Sequence, residues 1–293
     1  MLQLFANLSA EQANTCSTVL ASAGIAYRIR TDPHGWAVWV EAGQYDAAYR
    51  AMAAYFRENR KDPFPDHRGD ASAPPSNARF AEAMFAALFL FAWHMGFHWF
   101  GTQETVVRSF GASAGAIGAG EIYRAVTALM IHADGAHLAG NMLGIIIFGA
   151  AVTGETGWGL GWLMILVSGI VGNLVNAGMY QSGHLSIGAS TAVFGAIGIL
   201  AGYQVIRRRR QKGRRITAWA PLAGGLALLG FIGSGENVDI GAHFFGFAVG
   251  VGMGAGYALF FRRAPGRMVQ AVSLLLVFAV IGLAWVGGRV LQN

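Results

Sequence analysis

Very little in this chain would serve a soluble or secreted protein. It has a single cysteine, Cys16, which rules out an intramolecular disulfide and any CxxC metal site. Only 12% of the 293 residues are charged, far below the share in an ordinary soluble domain, whereas 54% are hydrophobic. None of the 15 acidic residues sits at the centre of a long apolar run. That lack excludes an intramembrane aspartyl site, which needs two facing carboxylates, and there is no HExxH pair of zinc ligands either. The opening MLQLFANLSAEQ has no basic stretch before its brief apolar one, so it does not read as a cleaved signal peptide. The first spanning helix is then expected to act as its own targeting signal.

What the chain has instead is apolar length. Runs at 80–100, 125–153, 157–179, 188–206, 216–233, 238–261 and 268–288 each approach the length needed to cross a hydrocarbon core of about 30 Å. They predict an all-α polytopic membrane bundle of seven helices, the fourth and fifth on the short side. A net charge of +6 raises the question of a nucleic-acid partner, but its distribution answers it. Seven basic residues crowd into Arg207 to Arg215, three into Arg262 to Arg267 and eight into the N-terminal part, leaving only Arg108, Arg124 and Arg289 elsewhere. This is the positive-inside pattern. RRRRQKGRR is a topology determinant with a secondary contact to anionic lipid, and no nucleic acid is expected. With the N-terminus cytoplasmic, seven crossings put the C-terminus outside.

The N-terminal residues are of a different material. LQLFANLS, AYRIRTD and WAVWVEA read as strands, and AEQANTCSTVLASAG and QYDAAYRAMAAYFRE as amphipathic helices, in the order β-α-β-β-α. Residues 1–60 are expected to form a small α+β cytoplasmic domain, and the Pro-, Asp- and Ser-rich 61–79 a flexible linker. His34 and His67 fall in turn or linker contexts and read as solvated. Gly101 to Arg124 is too weakly apolar to span and is expected to lie partly in the interface. Small residues recur four apart at Gly198 and Gly202, and at Gly246, Gly250 and Gly254, a spacing that lets helix backbones approach closely.

Polar side chains inside a bilayer are costly and tend to line bundle interiors, which singles out His132, His137, Asn141, Ser190 and His243. Ser190 lies 17 residues before Arg207, and His243 lies 19 before Arg262. At about 1.5 Å per residue, both stand roughly 25 to 29 Å above the basic ends. His137, 18 residues before Glu155, reaches the same layer, and Asn141 is one turn deeper on the same face. Taken singly, each has a plainer reading: a serine among glycines and alanines is usually packing, and His137 and Asn141 can bond each other. Their common depth favours a site. A hydroxyl, an imidazole and two hydrogen-bonding side chains are what acyl transfer needs, because serine is a weak nucleophile without a base and the oxyanion needs donors already aimed at it. A proton-coupled transporter is the rival from another class. His94 and His98 form an i, i+4 pair, but no carboxylate or thiol completes a metal site, and the pair is expected to face the interface.

These motifs resemble those of the rhomboid intramembrane serine proteases. The family's GxSx is matched by Gly188, Ala189 and Ser190, and its AHxxGxxxG by Ala242, His243, Gly246 and Gly250. Its second-helix histidines and asparagine are matched by His132, His137 and Asn141 in IHADGAHLAGN, while Glu121, Tyr123 and Arg124 resemble the preceding loop signature. The likeness covers roughly 80–261, and the N-terminal domain is similar to one found in some bacterial members. It implies a six-helix core over 80–261 with an added spanning helix in 262–293, in the inner membrane of a bacterium. It also implies a dyad of Ser190 as nucleophile and His243 as base and acid near the outer face, an oxyanion hole from His137, Asn141 and the Ser190 amide, and supporting roles for Gly188, Phe194, His132 and Gly246. The implied substrates are transmembrane proteins, with no metal or organic cofactor; the oligomeric state is left open. A catalytically dead relative acting as a scaffold would be expected to lack Ser190 or His243. Thr191 replaces the usual glycine and is expected to crowd the oxyanion hole or add a hydrogen bond. Phe194 stands where some members have tyrosine, Thr153 where many have glutamate, and Tyr123 where tryptophan is usual. The fifth helix, weakened by Pro221, Gly224, Gly225 and Gly230, is expected to move as a lateral gate under a cap formed by the loop from Gly233 to Asp239.

Overall fold

The computed structural model describes residues 1–32, 35–59, 76–180, 183–210, 219–232, 239–261 and 264–292. His34, His67, most of the expected linker, the second half of RRRRQKGRR and residues 233–238 of the expected cap lie outside them. The chain divides into two compact units, Met1–Asp70 and Ala71–Asn293.

The first unit is α+β: β1 (Leu2–Leu8), α1 (Ala10–Ser22), β2 (Tyr27–Asp32), β3 (Gly35–Val40) and α2 (Tyr45–Asn59). The strands form an antiparallel sheet in the order β1-β3-β2. A capping box starts α1, the Ser9 hydroxyl accepting from the Gln12 amide at 3.2 Å while the Gln12 side chain accepts from the Ser9 amide at 2.7 Å. Leu4, Leu8, Leu20, Val38, Val40 and Met52 make the core with Cys16, whose burial pushes its thiol up to about 11 and leaves it protonated at neutral pH.

The second unit is helical. It runs α3 (Ser76–Trp99), α4 (Gln103–Phe110), β4 (Ala112–Ser113), α5 (Ala114–Gly118), α6 (Arg124–Thr127), α7 (Gly135–Gly144), α8 (Ala150–Thr156), α9 (Trp158–Met179), β5 (Leu185–Ser186), α10 (Ser190–Arg210), α11 (Ala220–Ile232), α12 (Ile240–Phe260) and α13 (Arg267–Gln292). Among the described residues, six stretches are long and apolar enough to cross a membrane: Ala78–Trp99, Gly135–Thr156, Trp158–Met179, Ser190–Arg210, Ile240–Phe260 and Arg267–Leu291. The protein is a multi-pass membrane protein. The expected fifth span appears among the described residues as the 13-residue α11, shorter than the others.

The second apolar run is not one helix from 125. It divides into α6, a 3-10 turn at Ala128–Met130, and an extended Ile131 before α7 begins at Gly135. Asp134 supplies the reason, because its carboxylate accepts from the His137 amide at 2.8 Å and caps a new helix. A π turn at Ile145–Gly149 then joins α7 to α8.

α10 is the central helix, and glycines bring it against α12. An added Cβ on Gly198 would strike the Phe247 carbonyl oxygen, on Gly250 that of Gly195, and on Gly254 that of Ile199. The two backbones are therefore in direct contact, and Ser190 and His243 begin these two helices.

α13 is anchored at both ends. The Gln270 side-chain oxygen accepts from the Gly159 and Leu160 amides at 2.8 and 2.9 Å, and its NH2 donates to the Thr156 carbonyl at 3.1 Å. It thus caps the first turn of α9, whose amides have no partner within their own helix. Towards the other end, Trp285 stacks on Phe110 with ring centroids 4.6 Å apart and lies against the Met130 sulfur. Gln270→Ala is expected to cost about 1 to 3 kcal/mol, since it removes the acceptor of the buried Gly159 amide and the part-buried Leu160 amide at once. Thermal unfolding in detergent checks this, and an unchanged Tm would refute it.

Candidate active site

The segment entering α10 is built around Gly188. Its φ of +121° lies in a region that glycine alone adopts freely, and a Cβ there would come within 2.6 Å of the His137 Nε2. The close approach brings the His137 ring beside the residue two positions before Ser190. The Gly188 amide donates to the Ala128 carbonyl at 2.9 Å, and the Ala189 amide to the His132 Nε2 at 3.3 Å. Ser190 is the first residue of α10, so its own amide belongs to a turn whose N–H groups have no carbonyl one turn back.

The Ser190 Oγ and the His243 Nε2 are 2.6 Å apart. His243 sits in the first turn of α12, 6% exposed, and the Phe194 ring lies over it at 4.6 Å between centroids and 31° between planes. Three residues on, a Cβ on Gly246 would meet the Thr191 carbonyl, so this glycine sets how near α12 comes to the start of α10. The Thr191 methyl points between Gly172 of α9 and Gly246 of α12. This methyl fills a gap between the two helices.

His132 is fully buried, its ring 5.3 Å from that of His137 and at 71° to it. Its carbonyl accepts from the Gln103 side chain at 2.6 Å, which links α4 to this layer. Burial, reinforced by the neighbouring His137 and His94, pushes its pKa down to about 3, so the ring is neutral and its Nε2 can accept from Ala189. Asn141 is buried and its side-chain NH2 donates to the His137 carbonyl at 3.0 Å. Of the His94 and His98 pair, His98 is exposed, but His94 turns inward, 9% exposed with its ring 6.4 Å from that of His132, and does not face the interface as expected. Tertiary packing against the buried His132 decides that face. Among the described residues, no cluster of three or more histidine, cysteine or acidic side chains is placed to hold a metal ion.

The loop before this layer is tied by Glu121, whose carboxylate accepts from Tyr123 and Arg124 at 2.7 Å each; these two bonds hold its pKa below the usual range. Arg124 also donates to the Arg108 carbonyl at 2.8 Å. Sequence reasoning missed a cluster beside the pair, formed by Asn176, His184 and Asp239. In the sequence Asp239 stands only as the end of the expected cap. As an acidic residue three positions before Ala242, at the start of an apolar helix, it carried the sign of an N-cap.

A serine hydroxyl within hydrogen-bond reach of a buried imidazole, in a bundle of membrane-spanning helices, defines the class: a polytopic membrane protein with a Ser–His pair at the ends of two packed helices. Residues 119–260 match the Rhomboid domain family model. The chain is 33% identical over 181 residues to the rhomboid protease GluP of Bacillus subtilis (strain 168), covering 60% of this chain and 34% of that one. It is 30% identical over 152 residues to Rhomboid-like protease 3 of Toxoplasma gondii, covering 52% and 57%, and 28% identical over 134 residues to RHOMBOID-like protein 1 of Arabidopsis thaliana, covering 46% and 34%. Residues 119–260 thus carry a rhomboid domain. The chain spans less than two thirds of the length of each of these relatives.

Proposed function

We propose that the protein is an intramembrane serine endopeptidase that hydrolyses a peptide bond in or near the spanning segment of other membrane proteins. The 2.6 Å contact between Ser190 and His243 is the observation that carries this reading. The Ser190 Oγ attacks the scissile carbonyl carbon while its proton passes to the His243 Nε2. The tetrahedral intermediate then collapses, and the imidazolium gives that proton to the leaving amine. Water enters next, loses a proton to His243 and attacks the acyl-serine ester, and the proton returns to the Ser190 oxygen as the acid product departs. The oxyanion is received by the Ser190 amide with the His137 and Asn141 side chains. Asn141 must release one donor from its bond to the His137 carbonyl, or use its other hydrogen. Phe194 packs on the His243 ring and helps hold it, Gly188 admits His137, Gly246 admits α12, and neutral His132 fixes the segment before the serine.

The core is assigned to 80–261, between the N-terminal domain of 1–60 with its 61–79 linker and the extra helix of 262–293. With the basic residues cytoplasmic, the N-terminus lies inside, the C-terminus outside, and the dyad near the outer face of a bacterial inner membrane. Helix α11 is the proposed lateral gate. The test is cleavage of a single-span reporter in reconstituted bilayers, with EDTA present throughout. Cleavage by the wild type but not by Ser190→Ala supports the reading, and cleavage by neither favours a scaffold role. Activity is also expected to fall on acidification from about pH 8 to 5, because a charged imidazole cannot accept the serine proton. A flat profile over that interval would count against His243 as the base.

A further inference from the structure

The two halves of the proposed dyad meet a second time, away from the reacting atoms. Asp239 is the N-cap of α12, four residues before His243, and its Oδ1 accepts from the Ala242 amide at 3.0 Å. Its other oxygen, Oδ2, accepts from the Asn176 side-chain NH2 at 2.7 Å and lies 2.7 Å from the His184 Nε2. His184 sits in the segment that leads through β5 and Gly188 to Ser190. Asn176 is on α9 and 2% exposed. The Tyr180 ring lies flat on His184, with centroids 4.0 Å apart and planes at 10°. One carboxylate therefore joins three elements: the strand feeding the nucleophile, the helix carrying the base, and α9 behind both.

We propose that the Asp239, His184 and Asn176 side chains form a brace that sets the separation of Ser190 from His243, making Asp239 and His184 positioning residues for the reaction proposed above, on which this inference rests. His243 belongs to the first turn of α12, which Asp239 caps, and its ring packs on Phe194, so a shift of that turn carries the Nε2 with it. The α10–α12 glycine contacts fix the two helices along their length, but the segment before Ser190 lies beyond the end of α10 and outside that contact. Asp239 closes this gap. The cluster is also closely packed: a Cβ on Gly241, in the same first turn, would strike the Asn176 side-chain oxygen. A hydrogen bond worth little to stability can still hold a near-attack geometry in which small displacements cost large factors in rate.

The experiment uses the full chain in bilayers and three readouts: labelling of Ser190 by a fluorophosphonate, kcat and KM on the single-span reporter, and Tm. Asp239→Asn keeps a good N-cap, since asparagine caps about as well as aspartate, but loses the carboxylate that receives His184. Its Tm is expected to stay within about 2 °C of the wild type while kcat falls at least tenfold with KM unchanged. His184→Ala, which touches no helix cap, should lose kcat to the same extent. His184→Gln retains a donor and should recover most of it. The double variant Asp239→Asn with His184→Ala should be no slower than either single variant, as expected of two residues acting through one contact. Wild-type kcat in both Asp239→Asn and His184→Ala would overturn the brace, as would a loss in both that follows Tm or KM. A wild type that Ser190→Ala matches in labelling and cleavage would overturn the serine-protease reading and the brace with it.

Discussion

Ser190→Ala is expected to abolish cleavage and leave the fold untouched. The hydroxyl contacts His243 across 2.6 Å, so its removal empties almost no volume and strips one partner from a ring that Phe194 still packs. A residue acting as nucleophile with no substitute should lose kcat by a factor on the order of 10⁴ to 10⁶. His243→Ala should fall in the same range, because the hydroxyl is a poor nucleophile without its base. The double variant should be no worse than either alone, since both act in one step. His137→Ala and Asn141→Ala should each cost less, about 10² to 10³ in kcat, or roughly 2.7 to 4 kcal/mol, as expected for one oxyanion donor among several. This ranking separates the roles: a Ser190→Ala enzyme within tenfold of wild type at equal expression and equal Tm would remove the serine from the chemistry. Rates on the reporter, with Tm measured alongside, decide it.

The residues brought together in this site were legible because they carry a cost. A serine and two histidines at one depth of an apolar chain, with an asparagine one turn deeper on the same face, have few reasons to coincide, and the structure places Ser190, His243 and the His137 ring within one small region. Glycines four apart in α10 and α12 likewise announced a close helix contact before any packing was known. What could not be read depends on partners distant in sequence. Gln270 is one polar residue near the start of a long apolar helix, and nothing local says that it caps α9, 111 residues earlier in the chain. His184 and Asn176 lie 55 and 63 residues from Asp239, and neither belongs to a recognisable motif. Hydropathy also merged α6 with α7, because a window average cannot see one aspartate capping a helix. The direction of the Thr191 side chain is likewise a property of α9 and α12, set by the space that Gly172 and Gly246 leave. Sequence spacing gives a residue its face and depth; which neighbour it meets there is decided by the rest of the bundle.

Gly250→Leu should be the most damaging change outside the reacting residues, in stability as well as rate. Its Cβ would enter the Gly195 carbonyl and come within 3.0 Å of the Ile199 amide nitrogen. Both obstacles are backbone of α10, so no rotamer change relieves them. The helices must separate, and overpacking of this kind costs about 1 to 3 kcal/mol or more. Separation also opens the contacts at Gly198, Gly202 and Gly254, because each meets backbone of the other helix in the same way. Ser190 and His243 lead these two helices, so the change should reach the 2.6 Å contact and lower kcat even in the fraction that folds. Gly252 is the control within the same helix, since a Cβ there meets nothing within 4 Å. Gly252→Ala should be neutral or slightly stabilising, because alanine favours a helix over glycine by about 1 kcal/mol. The comparison is made by Tm and reporter cleavage on matched samples. If Gly250→Leu behaved like Gly252→Ala, the backbone contact between α10 and α12 would not be what holds the pair together.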